Sequence, residues 1–90
     1  MDNVEFDRLV HEEGFGEPAQ KEYDPNATSE MHTHDFSVVL LVLGGEFKLR
    51  TEQGVESFLP GDICRLKAGV SHAEEAGPEG ARIVLSKKSS

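Results

Sequence analysis

Apolar and polar positions divide the chain into a short helical start and a longer β-rich remainder. Phe6, Leu9 and Val10 fall at spacings of three and four, with Phe15 beyond them, which predicts one amphipathic helix near the N-terminus. Asn3 is placed to cap it, and Gly14 to end it in a left-handed conformation. After Pro18 the texture changes. Ala19 to Tyr23 reads as an edge strand and Pro25-Asn26 as a turn. Val38 to Leu43 is an unbroken apolar run with three valines, so both faces of that strand need cover. Phe47 and Leu49 alternate with Lys48 and Arg50, as in a half-exposed strand, and Gly44-Gly45 reads as a tight turn between the two.

Gln53-Gly54 forms the next turn, followed by a strand over Val55 to Leu59, a turn at Pro60-Gly61, and strands over Asp62 to Leu66 and Ala81 to Ser86. Short strands separated by turn residues at this regular spacing predict an all-β sandwich or barrel. The expected organisation is a helical segment over 1–17 and one β-barrel domain over 18–90. A closed barrel leaves no exposed strand edge, an advantage for so short a chain.

Composition narrows the function classes. A chain of 90 residues has room for one core only. With 37% hydrophobic and 29% charged residues it belongs among globular proteins rather than disordered ones. Seventeen acidic against nine basic residues give a net charge of −8, which repels phosphate backbones and anionic lipid, so neither nucleic acid nor a membrane surface is expected as a partner. Cys64 is the only cysteine, so no intrachain disulfide forms; set between Ile63 and Leu66, it reads as a buried, inert thiol. With no signal segment and no long apolar run, a cytoplasmic location is the expectation.

The candidate chemistry lies in the histidines. In extended chain, His32 and His34 project to the same side at a spacing of ~7 Å, so both rings can reach one ion. His72 follows Ala68-Gly69-Val70-Ser71, where a glycine turn can aim a side chain back into a barrel. Three neutral imidazoles suit a divalent transition metal such as Fe(II), Ni(II), Zn(II), Cu(II) or Mn(II), with coordination positions left for a small-molecule ligand. His11 belongs to the predicted helix near its C-terminal end, where its charge suits the helix dipole. Glu12, Glu13, Glu74 and Glu75 read as solvated surface charges, and Phe36, Phe47 and Phe58 as core.

The stretch from His32 to His72 resembles the cupin domain, whose two motifs are a His-x-His followed by a glutamate and a glycine, and a Pro-x-Gly followed by a histidine and an asparagine. His32, His34 and Gly45 match the first motif; Gly61, Gly69 and His72 match the second. Pro60-Gly61-Asp62 and Lys67-Ala68-Gly69-Val70-Ser71-His72 are similar to the usual cupin wording. The resemblance implies a jelly-roll β-barrel, a metal held by His32, His34 and His72, and pairing as a homodimer. It also has departures: Asn26 replaces the first glycine, Val38 the metal-binding glutamate, Lys67 a proline and Ala76 the asparagine. With Val38 unable to coordinate, the resemblance implies a three-histidine site like that of cysteine dioxygenase-like and diketone-cleaving cupins, where the ion keeps more positive charge. Glu30 and Asp35 are the carboxylates that could approach this site, and solvent exposure is expected for both.

Two functions fit these features. One is an enzyme that oxidises a small metal-chelating molecule in the manner of a dioxygenase, or isomerises it. The other is a non-catalytic module that binds or senses a metabolite, with or without a metal.

Overall fold

The computed structural model describes residues 1–89. Helix α1 spans Asn3–Glu12, and its cap is Asp2, not Asn3. Asp2 is still extended, so its carboxylate accepts from the Glu5 N–H at 2.9 Å, while the Glu5 carboxylate accepts from the Asp2 N–H at 3.3 Å. This reciprocal pair satisfies two of the donors that a helix start leaves free, and Asn3 already lies within the helix. Gly14 follows the C-terminal end at φ +76°, as the sequence predicts.

Five strands follow: β1 (Ala19–Tyr23), β2 (Phe36–Thr51), β3 (Gly54–Phe58), β4 (Ile63–Leu66) and β5 (His72–Ser89). All pairings are antiparallel, in the order β1-β5-β2-β3, with β4 also on β2. The first half of β2 lies between β4 and the last third of β5; its second half lies between β3 and the start of β5. Each long strand therefore serves two sheet regions, which fold face to face as a jelly roll. Residues 26–32 run along the outer side of early β5, with Asn26 N–H donating to Gly77, Ser29 to Glu74 and His32 to His72.

Gly44-Gly45 is not a turn. Both glycines lie inside β2, at register shifts between Val42 and Gly44 and between Gly45 and Phe47. These irregularities bend the strand without ending it, so the two predicted strands are one. Gly45 has φ +71° and packs against Gly80, φ +80°, on β5; a Cβ at Gly45 would stand 2.1 Å from the Gly80 carbonyl oxygen. The last predicted strand is also longer, starting at His72 instead of Ala81.

The apolar run of β2 is covered on both faces. Val39 and Leu41 meet Phe6 and Val10 of α1 together with Val84. Leu40 and Val42 point the other way, into a core with Phe47, Leu49, Phe58, Cys64 and Ile83. Phe47 and Phe58 are thus core, as predicted, whereas Phe36 is half-buried on the wall of a cavity. Arg65 on β4 makes a two-pronged bond to Glu13 at 2.8 Å, tying the end of the helix to the sheet. Among the described residues, no helix is long and apolar enough to cross a membrane.

Candidate metal centre

The two sheet regions leave between them a cavity of about 380 Å³. Side chains of a strand alternate between faces, and the inward positions supply the wall: 36, 38 and 40 on β2, 83, 85 and 87 on β5, 21 and 23 on β1. The same alternation continues beyond the regular strands. His32 and His34 face the cavity and Thr33 is exposed, although only His32 makes a ladder contact, the bridge to His72. No regular strand forms at His32-Thr33-His34, and the same-side projection expected of extended chain is nevertheless present.

Two backbone features seat the third histidine. His32 and His72 exchange N–H···O=C bonds of 2.9 Å in both directions, which fixes their rings side by side. The preceding turn uses Gly69 at φ +83°, whose N–H donates to the His34 carbonyl at 2.8 Å. Turn and His-x-His segment are therefore locked together. The three ring centroids lie 4.5, 4.8 and 5.1 Å apart.

Orientation of the rings determines what they can do. The Nδ1 of His32 lies 2.7 Å from the Glu30 carbonyl, and that of His72 lies 2.9 Å from the Val70 carbonyl. A carbonyl can only accept, so each Nδ1 donates to it and each Nε2 is turned into the cavity. His34 is held below the ordinary histidine range, by burial first and then by the neighbouring His32 and His72, which favours its neutral form. Neutral imidazole is the form that binds metal.

A fourth group joins them. Glu74 is two residues beyond His72 on β5 and faces the same side; one ligand atom from each of His32, His34, His72 and Glu74 lies within 4.8 Å of the others. Its Oε2 is 3.2 Å from His32 Nε2 and 3.7 Å from His72 Nε2. Its Oε1 accepts from the Tyr23 hydroxyl at 2.5 Å and lies 4.0 Å from Lys21 Nζ. Burial raises the Glu74 pKa, but the Tyr23 bond, Lys21, His72 and His32 outweigh it, and the carboxyl is held below its usual range. Its side chain is 20% exposed, so the reading of Glu74 as a solvated charge is corrected. Glu75, its neighbour, points outward to Arg50. The parity rule applied to His32 and His34, used again at His72-Ala73-Glu74, identifies Glu74.

The other candidates lie elsewhere. Glu30 and Asp35 are exposed, as expected; Glu30 contributes through its backbone carbonyl alone. Val38 is on the cavity wall and supplies no ligand atom. His11 is exposed on the helix. Cys64 is buried beneath the cavity, and burial pushes its thiol up to about 12. The donor set of three oriented imidazoles and one carboxylate fits a divalent transition metal.

A sequence profile of the AraC-like ligand binding domain matches residues 15–84. No curated protein is significantly similar in sequence. Solved structures do resemble this one. An RmlC-like cupin from Shewanella frigidimarina is 22% identical with a TM-score of 0.70, covering 81% of this chain and 65% of its own. The polyketide cyclase RemF from Streptomyces resistomycificus is 27% identical, TM-score 0.68, covering 78% of this chain and 52% of its own. A W96Y oxalate decarboxylase from Bacillus subtilis is 22% identical, TM-score 0.69, covering 80% of this chain and 20% of its own. This chain therefore spans less than two thirds of the length of each.

Proposed function

The chain belongs to the family of AraC-like ligand-binding domains, which are cupins, and we propose that it binds a small metal-chelating molecule at a divalent transition metal held by His32, His34 and His72, with Glu74 beside them. The supporting observation is the pair of Nδ1–H···O=C bonds that turn the Nε2 atoms of His32 and His72 inward, where His34 and Glu74 join them. A histidine cluster with a merely structural role has no need to bring one ring nitrogen from each of three imidazoles within 4.8 Å of a carboxylate oxygen.

When bound, such an ion supplies Lewis acidity and open positions for chelation. The protein's own groups do the rest. Tyr23 orients the Glu74 carboxylate, and Phe36, Val38, Leu66 and Leu85 form an apolar wall that keeps water from the ligand. Glu74 is also the group placed to take or return a proton from a bound molecule, a role for which the sequence suggested only Glu30 and Asp35. The chemistry that follows is oxidation of dioxygenase type, or isomerisation. A second reading, a metabolite-binding or sensing module without catalysis, is favoured by the family match to a ligand-binding domain.

Elemental analysis of untagged protein tests the metal. Roughly one equivalent in the wild type, lost in the His32, His34 and His72 triple alanine variant, is expected; equal content in both would remove the proposal. Oxygen consumption by the Fe(II) form with thiols, diketones and phenols then separates catalysis from sensing. A homodimer is proposed as well, because among the described residues β1, β3 and β4 each have one strand partner. Sizing chromatography at micromolar concentration tests it, and a monomeric elution volume would exclude it.

A further inference from the structure

The charge on the cavity wall runs against that of the chain. Overall the protein carries an excess of acidic residues, with a net charge of −8. Among the described residues, the wall holds one carboxylate, Glu74, and two ammonium groups, Lys21 and Lys87. Glu74 is already committed to Tyr23, His32 and Lys21. Lys87 is not committed in this way: no carboxylate of the described residues lies within 4.0 Å of its Nζ.

Lys87 owes its place to the strand. It is two residues beyond Leu85 and four beyond Ile83 on β5, on the same inward face, and pairs in register with Val38. Its Nζ lies 4.8 Å from the centroid of Phe36, whose ring stacks on His34 at 4.6 Å. Among the described residues, then, an exposed cation with no carboxylate within 4.0 Å stands over an aromatic wall that leads to the histidine cluster. The Gly16 N–H donates to the Lys87 carbonyl at 2.8 Å, which holds the backbone of this residue in place.

From these observations we infer that the site selects a small anion with an apolar body, its negative oxygen directed to the histidine cluster and to Lys87. This rests on the reading of the cavity as a ligand site. The size follows from the cavity, whose 380 Å³ lies at the lower end of the ~300–1,000 Å³ typical of small-molecule sites. The apolar body follows from Phe36, Val38, Leu66 and Leu85. The anionic end follows from Lys87, and a resident divalent ion would add to the same positive excess. Carboxylates and enolates with an adjacent oxygen donor meet all three requirements; neutral sugars and cationic amines do not.

The test compares salicylate with salicylamide, which share size, ring and chelating oxygen and differ in charge. Each is titrated by calorimetry into Zn(II)-treated wild type, Lys87→Met and Lys87→Arg, with zinc content measured on the same samples. The wild type and Lys87→Arg are expected to prefer salicylate, and by about tenfold more than Lys87→Met does, the scale of one charge-assisted bond, with zinc content unchanged. Equal affinity of the wild type for the two probes, no binding of either, or a preference as large in Lys87→Met as in the wild type would overturn the inference. Zinc content separates this from the metal reading: zinc bound without anion preference sinks the inference alone, while a Lys87-dependent preference in protein that retains no zinc sinks the metal alone.

Discussion

Replacing Gly45 by alanine tests the bend that folds the sheet onto itself. Two costs combine at this position. The first is conformational: at φ +71° a side chain crowds its own carbonyl, which costs about 1–2 kcal/mol. The second is steric: the new methyl would stand 2.1 Å from the Gly80 carbonyl oxygen and 2.8 Å from its carbon, and both are backbone atoms, which cannot swing aside as the end of a side chain can. Overpacking of this kind costs a further ~1–3 kcal/mol. The total of roughly 2–5 kcal/mol is a large share of the ~5–13 kcal/mol available to a chain of this length. Two controls separate the contributions. Gly14 has nearly the same φ, +76°, with nothing within 4 Å, so Gly14→Ala incurs the conformational cost alone. At Gly44 an added methyl lies 3.5 Å from the flexible Arg82 guanidinium and no left-handed φ is required, so Gly44→Ala should stay close to wild type. Urea unfolding followed by far-UV circular dichroism gives the three differences. The expected order of destabilisation is Gly45→Ala, then Gly14→Ala, then Gly44→Ala. A Gly45→Ala protein no less stable than Gly14→Ala would refute the close approach of β2 and β5.

Glu74→Gln is expected to weaken metal binding by about 10–100-fold, and Tyr23→Phe, which removes one bond to the same carboxylate, by less. Competition with a chromophoric chelator measures both, and an unchanged affinity in Glu74→Gln would remove the carboxylate from the site. Glu13 is held below the usual carboxylate range by its hydrogen bond to Arg65. Its contribution to stability is therefore present above the ordinary carboxyl range and lost as pH falls through the depressed folded-state value. Urea midpoints between pH 7 and pH 3 should fall more steeply in wild type than in Arg65→Met, by a small margin because the pair is exposed; parallel slopes would contradict the ion pair. The Cys64 thiol, buried and pushed up to about 12, should ignore a thiol-specific disulfide reagent at pH 8 until urea unfolds the chain, and rapid reaction in the native state would show that the core beneath the cavity opens.

Residues whose role follows from alternation were legible in the sequence, and those whose role follows from long-range register were not. Val38 to Leu43 announced a strand covered on both faces because an apolar run has no other use in a domain of this size, and α1 supplies the second cover. The convergence of His32, His34 and His72 was legible because spacing and the cupin-like turn bring them to one end. Gly44-Gly45 misled because a glycine pair is locally compatible with both a hairpin turn and a bulge; the choice is made by β5, whose partner glycine lies 35 residues further on. Glu74 was hidden for a related reason. Only with β5 known to begin at His72 does position 74 become inward-facing, and only with β1 in place does Tyr23 arrive to hold it. Asp2 took the cap from Asn3 because Glu5 stands at the distance that makes the exchange reciprocal.

The carbonyls of Glu30 and Val70 bear on how such a domain tolerates change in sequence. They fix the two imidazoles through main-chain atoms, so the exposed side chains at both positions are free to differ without disturbing the histidines. Drift in the surface sequence on either side of the site is thereby insulated from the ring geometry, which is inherited unaltered.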